Sequence, residues 1–180
     1  MWRMRIPTGI EDIVIRPWHM DDADALVRHA NNRKVWRNLM DAFPHPYERK
    51  DARAWLARAT DEEARLNFAI ATEQEAIGGI GLKRLYDVAS KSMEIGYWLG
   101  EPFWGRGIAT AAVRAFSTWA FEEEGLGIER LFADIFAWNP ASGRVLEKAG
   151  FQQEGRLRRH VFKDGEFTDL IVYGRLRGEG

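Results

Sequence analysis

Cysteine is absent from the sequence, which excludes disulfides, thiolate-bound metals and a cysteine nucleophile. The four histidines are scattered without the paired spacing of metal ligands, so we expect no metal site. No apolar run approaches the roughly 20 residues that span a bilayer, and no apolar segment of a signal peptide follows residues 1–7. We therefore expect no membrane partner, and the lack of cysteine fits a reducing cytoplasm.

An excess of charge of either sign is also missing. The net charge is −1, whereas a general nucleic-acid binder is usually strongly basic, so we expect no nucleic-acid partner. With 180 residues, 46% of them hydrophobic and 29% charged, the chain is typical of one globular domain with a sizeable core. We expect that single domain to span residues 1–180.

Hydrophobic periodicity predicts a mixture of strands and helices. Strands are predicted over residues 12–16, 67–71, 76–85, 91–99, 128–137, 151–162 and 166–175. Helices are predicted to begin at residue 21 and to cover residues 48–59, 108–123 and 139–150, while residues 34–40 are ambiguous. The order of these elements is typical of an α+β domain.

A glycine-containing loop over residues 104–110 (WGRGIAT) lies between a predicted strand and a predicted amphipathic helix. Gly105 and Gly107 flank Arg106, and the helix begins directly afterwards. Free backbone N–H groups and the positive end of the helix dipole meet at such a point, and glycine lets an anion approach the backbone closely. The loop therefore predicts a phosphate-binding site.

Two common nucleotide-binding motifs do not fit this loop. A P-loop requires Lys followed by Ser or Thr after its final glycine, but Ile108 and Ala109 follow Gly107. A dinucleotide fingerprint requires a third glycine where Thr110 stands, and an acidic residue at the end of the next strand, where residues 136–139 contain none. A turn that binds no ligand is a further alternative.

Three segments together resemble the GNAT superfamily of acyl-CoA-dependent N-acyltransferases, and in particular its Rim-type group, which acetylates ribosomal-protein N-termini. Residues 93–99 (MEIGYWL) are similar to the strand that pairs with the pantetheine arm of CoA. Residues 104–109 follow the family's Gln/Arg-x-x-Gly-x-Gly/Ala loop, except that Trp104 replaces the polar first residue. Residues 139–151 are similar to the family's Asn-x-x-Ser helix and the Gly-Phe that follows it.

The resemblance implies a GNAT-like α/β fold, with a mixed, mostly antiparallel central sheet of about seven strands and helices on both faces. It implies acetyl-CoA as the cosubstrate, without a metal, in a V-shaped gap between residues 93–99 and 130–137. The residues expected to bind acetyl-CoA come from the three segments: Ile95, Gly96, Tyr97, Trp104, Gly105, Arg106, Gly107, Ile108, Ala109, Thr110, Asn139 and Ser142.

The reaction that the resemblance implies is direct attack of an amine on the thioester, without a covalent enzyme intermediate. Backbone N–H groups near residues 95–97 are candidates for stabilising the oxyanion. Ser142 is the candidate proton donor to the leaving thiolate, although it can also help to cap the helix at Asn139. Glu94 is either the general base or a surface carboxylate, and Tyr97 is an alternative proton donor.

The acceptor that the resemblance implies is a protein N-terminal amine. The pKa of an α-amine, roughly 8, leaves more neutral amine at neutral pH than the pKa of about 10.4 for lysine. A polyamine, amino acid or aminoglycoside is the alternative acceptor, and a CoA-binding sensor without turnover is the alternative function. Residues 31–46 and 86–90 are the expected acceptor loops, and residues 156–160 form a basic cluster. The glycine-containing and aromatic strands permit either a monomer or a homodimer.

Overall fold

The computed structural model describes residues 5–61 and 66–179, in which eight strands form one sheet of order β1-β2-β3-β4-β5-β6-β8-β7. All neighbouring strands are antiparallel except β5 and β6, which are parallel. The strands are β1 (Ile6–Pro7), β2 (Val14–Pro17), β3 (Asn67–Ala71), β4 (Ala76–Arg84), β5 (Ser92–Leu99), β6 (Arg130–Phe136), β7 (Gln152–Lys163) and β8 (Glu166–Leu176). The helices are α1 (Ala23–Ala30), α2 (Arg33–Trp36), α3 (Arg49–Ala59), α4 (Ile108–Glu122) and α5 (Pro140–Lys148). The predicted mixed sheet is confirmed, and the short β1 is the strand that the sequence pattern did not predict.

The first helix begins two residues later than the sequence predicts, because a 3-10 turn precedes it. Residues Met20–Asp22 form a 3-10 turn, and α1 starts at Ala23. The Asp22 carboxylate accepts a hydrogen bond from the His19 backbone N–H at 2.9 Å and pairs with both terminal nitrogens of Arg16 at 2.7 and 2.8 Å. This bidentate contact holds the start of α1 against the end of β2.

Helices cover both faces of the sheet, and each face has its own hydrophobic core. Side chains alternate along β3, so that Phe68 and Ile70 pack with α4 on one face while Ala69 packs with α1 and α3 on the other. The sequence predicts an apolar stripe on α4, of which Ile108, Ala112 and Phe116 are buried and Trp119 is partly buried against the same core. In the described residues no helix is long and apolar enough to cross a membrane.

The glycines of β4 allow close packing against β5. A Cβ added at Gly78 would lie 2.4 Å from the Trp98 carbonyl oxygen, and one added at Gly79 would lie 2.7 Å from the Trp98 indole nitrogen. A Cβ at Gly81 would lie 2.3 Å from the Asn67 side-chain oxygen. Gly78 and Gly79 therefore let β5 approach closely, and Gly81 leaves room for Asn67 of β3, which explains why a glycine-rich segment forms a central strand.

The sheet opens between β5 and β6. The two strands pair only at their beginnings, where Ser92–Glu94 lie opposite Arg130–Phe132. Beyond this point β5 stays paired with β4 to Leu99, while β6 stays paired with β8 to Phe136. The gap predicted between these strands is therefore present at the centre of the sheet.

Candidate active site

A cleft of about 830 Å³ occupies the opening between β5 and β6. Its lining includes the second half of β5, residues 133–136 of β6, the beginning of α4 and several residues of α5. Because side chains alternate along a strand, the residues of β5 divide between the two faces of the sheet. Ile95 and Tyr97 lie on the face of α4 and α5, and Glu94 and Trp98 lie on the face of α1 and α3.

The glycine loop forms one mouth of this cleft. Gly105 and Gly107 have φ values of +72° and +77°, in the left-handed region that favours glycine, and both line the cleft. Gly107 is the N-cap of α4 and offers no side-chain cap, so the first N–H groups of the helix are free to bind a ligand. A Cβ at either glycine would meet no heavy atom of the described chain within 4 Å, so an anion has room to approach.

Two side chains of the loop, those of Trp104 and Arg106, contact the protein itself. The Trp104 indole N–H donates to the Leu99 carbonyl oxygen at 2.7 Å, which anchors the loop to the end of β5. The Arg106 guanidinium lies 5.8 Å from the centroid of the Phe103 ring, and Arg106 is not part of the cleft lining. The loop therefore presents mainly backbone N–H groups to the cleft. Trp104, which departs from the family pattern, has the structural role of holding the loop against β5.

Backbone N–H groups along one edge of β5 also face the cleft. Gly100 N–H donates to the Ile77 carbonyl oxygen of β4 at 2.8 Å, and the register between β4 and β5 is uninterrupted. Backbone groups alternate in direction along a strand, so the N–H of Gly96 faces β4, while those of Ile95 and Tyr97 face β6 and the opening. Of the three amides considered from the sequence, those of Ile95 and Tyr97 are therefore accessible to a ligand in the cleft.

Tyr97 and Ser142 form a hydroxyl pair beside these amides. Their side-chain oxygens are 2.7 Å apart, and either can donate the hydrogen bond. The Tyr97 hydroxyl also donates to the Ser142 carbonyl oxygen at 3.1 Å. Burial raises the pKa of Tyr97, and its hydrogen bond with Ser142 lowers it by less, so the phenol stays protonated at neutral pH.

The cap of α5 is made by Asn139 rather than by the Ser142 hydroxyl. The Ser142 backbone N–H donates to the Asn139 side-chain oxygen at 3.4 Å, and Pro140 occupies the first turn, as the sequence predicts. The Ser142 hydroxyl points instead to Tyr97. Both Asn139 and Ser142 line the cleft, so the cap of this helix also positions two polar side chains at the candidate site.

Two carboxylates line the cleft on the opposite face. Glu94 lies 3.4 Å from the ammonium of Lys83, whose side chain is largely exposed. Asp134 of β6 has a raised pKa, first because of burial and then because of the nearby negative charge of Glu94, while His160, Lys83 and Arg130 act in the opposite direction. No group of three or more potential metal ligands occurs within the described ranges.

On this same face, residues 33–41 and the turn between β7 and β8 meet across the cleft, and we call the two segments the clasp. Residues 33–41, which include α2, contact the turn between β7 and β8 through three ion pairs: Arg33–Asp164, Arg37–Glu166 at 2.8 Å and Lys163–Asp41 at 2.7 Å. The buried Lys163 ammonium also lies 3.9 Å from the centroid of the Trp36 ring. Of the expected acceptor loops, residues 31–46 therefore contribute to the cleft, whereas residues 86–90 are not part of its lining.

The basic cluster at residues 156–160 is mostly directed away from the cleft. Arg156 pairs with Asp169 at 2.6 Å, and the Arg159 guanidinium lies 4.6 Å from the centroid of the Phe167 ring. His160 alone among these five residues lines the main cleft. Arg156, Arg158 and Arg159 line a separate, more open pocket together with Asp169, so their charges lie outside the lining of the main cleft.

Sequence reasoning missed Asp134 and Lys163 as cleft residues. Asp134 becomes a neighbour of Glu94 only through the parallel pairing of β5 with β6, which no local pattern predicts. Lys163 meets Asp41 across 122 residues of sequence. One signal was available for Asp134: it is the single charged residue within the alternating apolar pattern of residues 131–137.

Comparison with known proteins agrees with this geometry. The family described as acetyltransferase (GNAT) domain matches residues 12–152. YjcK of Bacillus subtilis, named a probable N-acetyltransferase, is 32% identical over 167 residues, which cover 89% of this chain and 91% of that protein. YdaF of the same organism, provisionally named a ribosomal N-acetyltransferase, is 39% identical over 102 residues, which cover 57% of this chain and about half, 54%, of that protein.

The fold is also that of solved acetyltransferases. One of these is the structure of RimL, described as a ribosomal L7/L12 α-N-protein acetyltransferase in complex with coenzyme A. It superimposes with a TM-score of 0.81 at 22% identity, and the alignment covers 96% of this chain and 98% of the RimL chain. The family match covers most of the chain and includes β5, the glycine loop and α5. The chain therefore belongs to the GNAT family of N-acetyltransferases, in which it is similar to the Rim-type group.

Proposed function

We propose that the protein transfers the acetyl group of acetyl-CoA to the α-amine at the N-terminus of a protein or peptide. The observation that carries the proposal is the opening between β5 and β6, which connects the glycine loop on one face of the sheet with Glu94 and Asp134 on the other. A cosubstrate and an acceptor can therefore reach the same backbone edge from opposite faces. Direct attack, without a covalent enzyme intermediate, needs this arrangement.

Acetyl-CoA is proposed to bind on the face of α4. Its pyrophosphate would lie on the N–H groups of residues 105–110, where the left-handed glycines leave room for an anion. Its pantetheine arm would follow the free edge of β5 beside Ile95 and Tyr97, with Asn139 on the opposite wall. A Cβ at Gly96 would meet no heavy atom of the described residues within 4 Å, so this part of the strand leaves open space.

The proposed reaction begins when the lone pair of the neutral amine attacks the thioester carbon. Negative charge develops on the carbonyl oxygen, where the N–H groups of Ile95 and Tyr97 can stabilise it. When the carbon–sulfur bond breaks, the thiolate takes a proton from the Ser142 hydroxyl, which regains one from solvent and is held by Tyr97 at 2.7 Å. Glu94 accepts the proton of the amine through water.

The charges on the acceptor side favour a peptide N-terminus over a free amino acid. Three lysines line this side, and each pairs with a carboxylate: Lys34 with Glu101, Lys83 with Glu94 and Lys163 with Asp41. A free amino acid carries its own carboxylate beside the amine, which would require an unpaired cation. A peptide carries a neutral amide there, and RimL is by its description an α-N-protein acetyltransferase, which takes that class of acceptor.

The experiment incubates the protein with acetyl-CoA and five acceptors at equal concentration. These are a peptide with a free α-amine, the same peptide blocked at its N-terminus but containing lysine, a free amino acid, a polyamine and an aminoglycoside. Free thiol and product mass are measured. We expect single acetylation of the unblocked peptide and little reaction of the others; preferred acetylation of a small amine would overturn the acceptor class.

Calorimetry with CoA separates the remaining alternatives. CoA binding without transfer to any acceptor would identify a sensor instead of an enzyme, and absence of CoA binding would contradict both. Size-exclusion chromatography tests the expected monomer or homodimer. Acetylation of newly made protein N-termini also agrees with the cytoplasmic location that the sequence predicts.

A further inference from the structure

Asp134 lies on the acceptor side of the cleft, next to Glu94 but on the other wall of the opening. The parallel register places Glu94 opposite Phe132, and Asp134 lies two residues further along β6 on the same face. The neighbouring Ala133 is buried in the α4 core, which confirms that Asp134 points the other way. Both carboxylates therefore line the half of the cleft that faces the clasp.

The Asp134 carboxylate is unpaired, which sets it apart from other acids around the cleft. Across residues 5–61 and 66–179 it has no hydrogen bond and no ion pair, whereas Glu94 faces Lys83 and Asp41 faces Lys163. The charges of the described chain that act on Asp134 do so from a distance: Glu94, His160, Lys83 and Arg130. A carboxylate directed into a cleft without a cation is suited to a cationic ligand.

We propose that Asp134 binds the ammonium group of the incoming acceptor and selects cationic amines that lack a carboxylate beside the amine. This inference rests on the proposed function, because it concerns the acceptor of the same reaction. Glu94 and Asp134 stand on the two walls of the opening, so that an ammonium held between them has its nitrogen near the edge of β5. Asp134 is thus a specificity residue, distinct from Glu94, which as the base takes a proton from the held ammonium through water so that the neutral amine can attack.

A second reason favours binding over a structural role for Asp134. Asp134 makes no hydrogen bond or ion pair with any described residue, so no contact within the protein depends on its charge. Its exposure in the cleft also means that Asp134→Asn should fold normally, because the substitution keeps the size of the side chain and breaks no contact. The variant therefore removes charge from the acceptor side with little other change.

The test measures steady-state kinetics of the wild-type protein and of Asp134→Asn with whichever amine the acceptor panel identifies. We expect the KM for the acceptor to rise roughly tenfold, because one charge contact is lost. The KM for acetyl-CoA and the melting temperature should stay unchanged. Asp134→Glu should recover part of the acceptor affinity. Glu122→Gln, which removes a negative charge from the exposed end of α4, is the matched control and should resemble the wild type.

Salt dependence provides the readout that a structural role would not change. Ions screen charge contacts, so the acceptor KM of the wild type should rise with salt, and that of Asp134→Asn should rise less. An unchanged acceptor KM, or equal salt dependence in both proteins, would overturn the inference. Failure of the proposed function gives a different result. A polyamine would then be the preferred acceptor, and Asp134→Asn would still raise the KM for that polyamine.

Discussion

Gly107→Glu tests the proposed phosphate position most directly. Gly107 precedes α4 with φ at +77°, lines the cleft and leaves open space where a side chain would project. A glutamate there would put a negative charge beside the helix N–H groups that are expected to hold the pyrophosphate. We expect the variant to lose CoA affinity while the sheet and its two cores stay intact.

The size of the effect follows from charge repulsion and lost hydrogen bonds. Repulsion between the glutamate and about two phosphate charges at ~4 Å costs about 2 kcal/mol even with the screening of bulk water. Displacement of one phosphate from a backbone N–H adds about 1 kcal/mol. Together these terms correspond to a Kd for CoA at least ~100-fold higher than that of the wild type.

The assay is isothermal titration calorimetry with CoA on folded protein, and Gly9→Glu is the matched control. Gly9 has φ at +83° and also leaves open space within 4 Å of an added Cβ in the described chain, but it lies outside the cleft. The control therefore carries the same strain and the same charge. Gly107→Ala adds the strain without the charge. A Kd for Gly107→Glu within threefold of that of Gly9→Glu would show that the phosphates bind elsewhere.

Three further substitutions separate catalysis, loop position and the clasp. Ser142→Ala should lower kcat about 100-fold in the thiol-release assay while the Kd for acetyl-CoA changes much less, because the proton donor is lost but the binding amides stay. Trp104→Phe should raise the Kd for CoA roughly fivefold by calorimetry, since it removes the 2.7 Å hydrogen bond to Leu99 that anchors the loop. Lys163→Ala should destabilise the protein by about 2 kcal/mol, because it removes a buried side chain, an ion pair and a cation–π contact. Scanning calorimetry should then show a melting temperature lower by about 4–8 °C.

Each of these variants has an outcome that contradicts its reasoning. Normal turnover in Ser142→Ala would leave Ser142 with only its contact to Tyr97, and Ser117→Ala, a buried serine of α4 outside the cleft, is the control for loss of a hydroxyl. Unchanged CoA affinity in Trp104→Phe would mean that the glycines hold the loop without the indole. An unchanged melting temperature for Lys163→Ala would show that the clasp contributes no stability.

The elements around the cleft that the sequence predicted correctly are those defined by local signals. Two left-handed glycines before an apolar stripe predict a helix with an open N-terminus, and Asn139 followed by Pro140 predicts the start of α5. The alternation in residues 91–99 predicts which side chains of β5 share a face. These signals need no knowledge of distant contacts, and the structure confirms the elements that they define.

The parts that the sequence did not predict depend on contacts between distant segments. The position of Asp134 beside Glu94 follows only once β6 is known to run parallel to β5, and the clasp joins residues more than 120 positions apart. The sequence leaves the role of Ser142 open between a cap and a proton donor, because the cap bond to Asn139 uses its backbone N–H and the contact to Tyr97 uses its hydroxyl. A sequence pattern describes residues, and it does not separate the backbone N–H from the side-chain hydroxyl.

The alternation of β5 explains how one strand can serve two substrates. Its cleft-facing N–H groups belong to Ile95 and Tyr97, whose side chains lie on the α4 face, while Glu94 and Trp98 project to the face of the clasp. A substitution on the first face should therefore change the kinetic constants of acetyl-CoA, and one on the second face those of the acceptor. The two effects should combine additively in a double variant of Asp134 and Gly107, because these residues lie on opposite faces and share no contact. Strong coupling between them would mean that both substrates bind on the same side of the sheet.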